Sequence, residues 1–204
     1  MAAPKRIVLT GGPGAGKTAT LEVVRHHFSA QVHVLPEAAG ILYGGGFPRH
    51  STNAGSRAAQ RAIFHVQREL ERGSEEERIA ETIVCDRGTL DGLAYWPGAE
   101  DDFFRDVETS IDAELARYAM VVHLRTPSVH DGYNHENPLR IESARQAAAI
   151  DARIGRIWSR HPRVVTVESR ANFVEKVHQV LDILRREIPT VRARTRHPEI
   201  GPDP

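Results

Sequence analysis

The sequence has little of three features that would decide its class at once: it has one cysteine, no net charge and no long apolar run. One cysteine, Cys85, in 204 residues excludes an internal disulfide and favours a reducing compartment. The 27 basic and 27 acidic residues cancel, so no overall field attracts nucleic acid. Neither a membrane span nor an N-terminal signal sequence is recognisable. We therefore expect a cytoplasmic protein with no nucleic-acid partner.

The rest of the composition indicates one domain. Hydrophobic residues make up 40% of the chain, which is enough for an ordinary core. The pattern predicts a single domain over residues 1–188, with a lid at about 128–160. Residues 189–204 are rich in proline and arginine and lack apolar periodicity, so we expect an extended or disordered tail.

The most informative segment is Gly11–Thr18, which reads GGPGAGKT and has the spacing of a phosphate-binding P-loop. A short apolar strand precedes it, and a segment with helical periodicity follows it. In such a loop backbone N–H groups surround phosphate oxygens, the lysine reaches the β- and γ-phosphates, and the threonine ligates Mg²⁺. The sequence thus predicts ATP or GTP with Mg²⁺ as cofactors. The predicted nucleotide-binding residues are Gly11, Gly12, Pro13, Gly14, Ala15, Gly16, Lys17, Thr18 and Ala19.

Apolar strands alternate with helices along the chain, which predicts an α/β protein with a parallel sheet covered on both faces. The predicted strands are 6–10, 32–35, 82–85, 120–124 and 164–167. The predicted helices are 17–28, 56–72, 102–117, 141–160 and 172–187. In this sheet type ligands bind at the carboxyl ends of the strands, so we expect the site residues to lie there.

Glu37 follows the second strand. Its carboxylate can act as general base on a substrate hydroxyl or hold Mg²⁺ through water. Alternatively, it is only an acidic residue favoured at a helix start.

Asp86, Arg87 and Asp91 follow the third strand. An aspartate in this position beside a P-loop is typical of a Mg²⁺ ligand, and Arg87 adds positive charge where a phosphoryl group is transferred. Asp91 either binds a substrate hydroxyl or caps the next helix.

The predicted helix over 56–72 has two faces. Ala59, Ile63, Val66 and Leu70 form an apolar stripe that we expect in the core. Gln60, Phe64 and Gln67 share the other face, where stacking and amide hydrogen bonds are suited to a substrate ring. The alternative is that the glutamines are surface residues and Phe64 belongs to the core.

The segment after the fourth strand has the features of a lid. Arg140 and Arg145 are candidates to bring positive charge over the γ-phosphate and to exclude water. Alternatively, they lie on a solvated helix face.

Taken together, these segments resemble the nicotinamide-riboside-kinase-like branch of the AAA-type ATPases, near the deoxynucleoside and thymidylate kinases. The segments that carry the resemblance are PEAAG (36–40), DRGTLDGLAYW (86–96), LRTP (124–127) and YNHENPLRIESARQA (133–147). The resemblance covers about residues 5–187. It implies a three-layer α/β/α P-loop NTPase fold with a five-stranded parallel sheet, the P-loop strand at its centre and a helical lid. By analogy with these kinases, it implies that Glu37 is a base or metal partner and that Asp86-Arg87 is the Asp-Arg pair of nucleotide kinases.

Three functions are compatible with the sequence. The preferred one is a kinase that transfers the γ-phosphoryl group to the hydroxyl of a small, nucleoside-like molecule. The second is a nucleotide-dependent switch or slow NTPase that binds a protein or lipid partner. The third, a ring-forming AAA motor, is disfavoured because no separate helical domain follows the core. The choices between ATP and GTP, and between monomer and homodimer, stay open.

Overall fold

The computed structural model describes residues 3–127, 144–169 and 172–188. Five parallel strands form one sheet: β1 Lys5–Thr10, β2 Val32–Leu35, β3 Thr82–Asp86, β4 Met120–Leu124 and β5 Val164–Val167. Their spatial order is β2-β3-β1-β4-β5, so β1 is central. Because all strands are parallel, their carboxyl ends lie along one edge, and the loop after β1 is flanked by the ends of β3 and β4.

The helices of the described residues connect the strands. They are α1 Lys17–Phe28, α2 Ala38–Gly44, α3 Asn53–Glu76, α4 Glu100–Asp106, α5 Ile111–Leu115, α6 Ala144–Trp158 and α7 Phe173–Glu187. A 3-10 turn, Thr89–Ala94, follows β3.

The core has two halves, one on each face of the sheet. Successive residues of β1 alternate between them: Ile7 and Leu9 pack with α1 and α7, and Val8 packs with α3 and α6. The central strand is therefore buried on both faces, as expected for a parallel sheet between helical layers. The predicted three-layer α/β/α fold with a central P-loop strand is confirmed. Cys85 is fully buried in β3.

The prediction of one helix over 102–117 is wrong, because the structure has α4 and α5 there. The chain turns at Glu108, whose φ of 53° is left-handed. Ser110 then caps α5, since its hydroxyl accepts a hydrogen bond from the Ala113 amide at 3.2 Å. Helix α2 is not among the predicted helices, although a helix start was the alternative interpretation of Glu37, which is the N-cap residue of α2.

The predicted core stripe of α3 is only partly confirmed, since Ala59 and Leu70 contact the core. Ala59 is buried, but Ile63, Val66 and Leu70 are only half-buried. The buried face instead carries Ala59, Gln60, Phe64, Gln67, Glu71 and Ser74. Polar side chains lie inside because they have partners: the Gln67 amide donates to Glu71 at 2.9 Å, and Glu71 also accepts from Tyr118 at 2.8 Å.

Part of the predicted lid, residues 128–143, and the predicted tail, 189–204, lie outside the described residues. Within the described ranges, no helix has the length and apolar character needed to cross a membrane.

Candidate functional site

The P-loop lies at the carboxyl end of β1, and its glycines are sterically required. Gly11, Gly14 and Gly16 have φ values of 146°, 81° and 88°, which side chains disfavour. A Cβ on Gly11 would also lie 2.1 Å from the Leu124 carbonyl oxygen, and one on Gly16 would lie 2.6 Å from the Phe173 ring. The loop is thus closely packed between β4 and α7.

Lys17 begins α1 and is buried under the loop, with 8% of its surface exposed. Its ammonium donates to the Gly11 and Gly12 carbonyls at 2.9 and 3.2 Å. Burial, helped by the nearby Arg87 charge, lowers the pKa of Lys17 to about 8, whereas Asp86, Glu37 and Asp91 oppose the shift. The lysine therefore remains mainly protonated at neutral pH.

Arg87 has a left-handed backbone with φ of 73°, which is costly for a residue with a side chain. Its amide is held by the Leu9 carbonyl at 3.1 Å. This conformation turns the chain sharply after β3. Residues held in such a conformation by their surroundings cluster at functional sites.

The Arg87 side chain joins the ends of three strands. Its guanidinium donates to Glu37 at 2.6 Å, to the Gly11 carbonyl at 3.1 Å and to Asp91 at 3.2 Å. Although burial opposes ionisation of Glu37, the Arg87 charge and hydrogen bond hold the pKa of that carboxyl below its usual range. Two other cations, Lys17 and Arg49, act in the same direction. Glu37 is thus an ionised, 37%-exposed carboxylate beside the P-loop.

Asp91 is buried and accepts several hydrogen bonds within the protein. Thr10 and Arg87 donate to one oxygen. The Gly88 amide and the Trp158 indole donate to the other at 3.1 and 3.0 Å. This supports the interpretation of Asp91 as a capping carboxylate that also orients Arg87; its predicted contact with a substrate hydroxyl stays a prediction.

Asp86 ends β3 with 9% of its surface exposed. Its Oδ1 atom is buried and has no hydrogen-bond partner among the described residues. Burial raises the pKa of Asp86 to about 6, while Lys17 opposes the shift. Within the described ranges, this oxygen thus lacks the hydrogen bond that a buried carboxylate oxygen normally receives.

The other predicted site residues are more scattered. Thr18 and Ala19 are exposed on the first turn of α1. Phe64 is buried against Phe103, with ring centroids 5.8 Å apart, and Gln67 is bonded to Glu71. These contacts favour the interpretation of Phe64 and Gln67 as core residues. The side chain of Gln60, a residue of α3, is buried against the 3-10 turn, near Gly92.

Of the two predicted lid arginines, Arg145 is exposed at the beginning of α6 and Arg140 lies outside the described residues. Their predicted role stays a prediction. Among the described residues, no group of three or more His, Cys, Asp or Glu side chains is arranged to hold a metal ion.

Two buried charges beside the P-loop were missed by the sequence analysis. Asp151 of α6 accepts from the Gly12 amide at 3.0 Å, and Lys176 of α7 donates to the Ala15 carbonyl at 2.9 Å. The sequence could have indicated both, because each is a charged residue among the apolar residues of the buried face of its helix. Although burial opposes ionisation of Asp151, hydrogen bonds from His123 and Gly12 hold its pKa below its usual range.

Burial lowers the pKa of Lys176 from 10.5 to about 8, with Asp151 and Glu168 opposing the shift. Between these two values the unfolded chain binds more protons, so this group makes the free energy of unfolding rise with pH. We expect the free energy of unfolding of the wild type, relative to that of Lys176→Met, to rise by about 2 kcal/mol between pH ~7.5 and ~9.5. Urea unfolding of both proteins at the two pH values measures this, and an equal difference at both would contradict it.

The comparisons with known proteins agree with this geometry. A family model described as an AAA domain, AAA_28, matches residues 6–176. Deoxyadenosine kinase from M. mycoides is similar in structure, with a TM-score of 0.57 at 12% identity over 89% of this chain and 99% of that one. Thymidylate kinase from Candida albicans has a TM-score of 0.59 at 16% identity over 92% and 93%. A search of curated proteins by sequence finds no match.

At these identities the structural likeness establishes the fold alone, whereas the family model covers most of the chain. The P-loop, its central strand and the parallel sheet fit the same conclusion. The chain belongs to the AAA domain family of P-loop NTPases, with a fold similar to that of nucleoside and nucleotide kinases.

Proposed function

We propose that this P-loop protein is a kinase that transfers the γ-phosphoryl group of ATP or GTP to the hydroxyl of a small, nucleoside-like molecule. The observation that carries the proposal is the contact of Arg87 with both Glu37 and the Gly11 carbonyl. Through Arg87, the Glu37 carboxylate, which is suited to bind an acceptor hydroxyl, is linked to the P-loop, which is suited to bind the donor phosphates. Such a carboxylate can orient an acceptor hydroxyl in a kinase or a water molecule in an NTPase, so the identity of the acceptor separates the two functions.

Glu37 is suited to receive the acceptor. It is ionised and partly exposed, and Arg87 fixes its orientation at 2.6 Å. In phosphoryl transfer the transition state is loose, so a carboxylate of low pKa can orient the hydroxyl and accept its proton late in the reaction.

Positive charge is concentrated on the donor side. Lys17 lies under the loop, and the Arg87 guanidinium is 3.1 Å from the Gly11 carbonyl. Charges held in place before the reaction stabilise the spreading charge of the transferring group without reorganisation. Arg140 and Arg145 are the proposed additional cations, from the lid.

Thr18 and Asp86 are the residues that would hold Mg²⁺. The unpartnered, buried Oδ1 of Asp86 fits this role, because a carboxylate without protein donors is suited to a hard cation. When bound, Mg²⁺ neutralises charge on the nucleotide phosphates.

The acceptor class is proposed from the site and supported by the two similar kinases, whose names refer to a deoxynucleoside and a nucleotide. Gln60, Phe64 and Gln67 are the predicted base-facing residues, and the contacts of Phe64 and Gln67 favour the core instead. Of these, Gln60, beside the 3-10 turn that follows Arg87, is the one whose position supports the role best.

A product screen tests the proposal. The protein is incubated with Mg·ATP or Mg·GTP and with nucleosides, deoxynucleosides, thymidylate, nicotinamide riboside and simple sugars, and products are resolved by mass. We expect a monophosphate increment on one acceptor class. Slow release of inorganic phosphate with every acceptor unchanged would contradict the proposal and favour a nucleotide-dependent switch.

A further inference from the structure

We propose that Asp151 and Lys176 are positioning residues of the P-loop, which fix the orientation of two of its peptide groups from opposite layers of the fold. Neither belongs to the GGPGAGKT motif, and they lie on α6 and α7. The inference rests on the nucleotide-binding part of the proposed function and not on the identity of an acceptor.

The first peptide group joins Gly11 to Gly12. Its carbonyl accepts from Lys17 at 2.9 Å and from Arg87 at 3.1 Å, and its N–H donates to Asp151 at 3.0 Å. In a trans peptide the C=O and N–H point in opposite directions. The group is thus held at both ends, and without Asp151 it would lose the acceptor on one side.

The second peptide group joins Ala15 to Gly16. Its carbonyl accepts from Lys176 at 2.9 Å on the side of α7. The Gly16 N–H therefore points to the opposite side of the peptide, away from α7. A Cβ on Gly16 would lie 2.6 Å from the ring of Phe173, on the same helix, so the loop is closely packed on this side.

Both side chains also hold the turn that follows β4. Asp151 pairs with the Arg125 guanidinium at 3.1 Å, and Lys176 donates to the Arg125 carbonyl at 2.6 Å. Thr126, the next residue, donates to the Pro13 carbonyl at 3.2 Å. The position of the P-loop is therefore linked to the position of this turn.

Both residues are almost fully buried, at 1% and 3% exposure. A buried charge needs partners, and here each charge finds them on P-loop and turn groups. His123 gives Asp151 a further hydrogen bond at 2.9 Å and so keeps the carboxylate directed at the loop.

Binding of ATP and of tripolyphosphate, measured by displacement of a fluorescent ADP, tests this inference without any acceptor. Asp151→Ala removes the acceptor of the Gly12 amide, and Lys176→Met removes the donor to the Ala15 carbonyl. We expect Kd to rise about tenfold or more in both, equally for ATP and tripolyphosphate, because a hydrogen bond to a charged group is lost. Asp182→Asn and Arg185→Met, which change an exposed ion pair on α7, are the controls.

Asp151→Asn separates positioning from folding, since the isosteric amide keeps an oxygen for the Gly12 amide but loses the charge. We expect a smaller rise in Kd, about threefold, because neutral hydrogen bonds are weaker. It also remains usable should Asp151→Ala fail to fold. Unchanged Kd values in Asp151→Asn and Lys176→Met, with only a lower unfolding temperature, would overturn the inference. A wild type that binds ATP but phosphorylates no acceptor would refute the kinase proposal and leave this inference intact.

Discussion

Replacement of Lys17 by alanine is expected to lower phosphoryl transfer by at least about a hundredfold. A preorganised charge next to a transferring phosphoryl group contributes about 3 kcal/mol to transition-state stabilisation. Lys17 is held under the loop by two carbonyls and remains mainly protonated at neutral pH. Because its charge already lies within the loop before nucleotide binds, its loss should lower kcat strongly.

The measurement is the initial rate with saturating Mg·nucleotide and the acceptor found in the product screen. Lys5→Ala is a matched control, since Lys5 begins β1, at the end of that strand far from the P-loop, and pairs with Glu187. We expect that control to retain wild-type turnover. An unchanged rate for Lys17→Ala would refute the assignment of this loop to catalysis.

The second large effect is expected for Glu37→Gln. The amide keeps an oxygen for the Arg87 guanidinium but has lost the negative charge that orients and deprotonates a hydroxyl. General-base groups contribute about 10²–10⁴-fold to rate, so transfer to the acceptor should fall into that range. Nucleotide Kd should stay within about twofold of wild type, because the charges under the P-loop are intact.

Glu22→Gln is the control for this substitution, since Glu22 is an exposed residue of α1 that pairs with Arg25. Rates with the acceptor and Kd for ADP are measured on the same preparations. Normal transfer by Glu37→Gln would exclude an essential base at this position. A parallel loss of nucleotide binding would assign Glu37 a structural role through Arg87 instead.

The sequence predicts what depends on local pattern. The bounds of β2, β4, β5 and α1 match the prediction, because mainly apolar, β-branched runs and a glycine loop determine them locally. The strand-end rule also predicted correctly that Glu37, Asp86 and Arg87 lie near the P-loop, since carboxyl ends of parallel strands share one edge.

What the sequence could not predict depends on tertiary partners. Gln67 and Glu71 are buried because Gln67 donates a hydrogen bond to Glu71, which also accepts one from Tyr118. The polarity of the two residues alone would assign them to the surface of α3. The same applies to Asp151, whose partners Gly12 and His123 are 139 and 28 residues away. The left-handed Arg87 is a further case, because nothing in the letters DRG requires a positive φ at the arginine.

The destination of the γ-phosphoryl group is the most direct test of the account. The reaction is run in isotopically labelled water with the best acceptor, and both the acceptor product and the released phosphate are resolved by mass. We expect ADP or GDP to form together with an equal amount of phosphorylated acceptor that carries no label from water. Labelled inorganic phosphate equal to the diphosphate formed, with no acceptor product, would mean that water is the acceptor and would contradict the account.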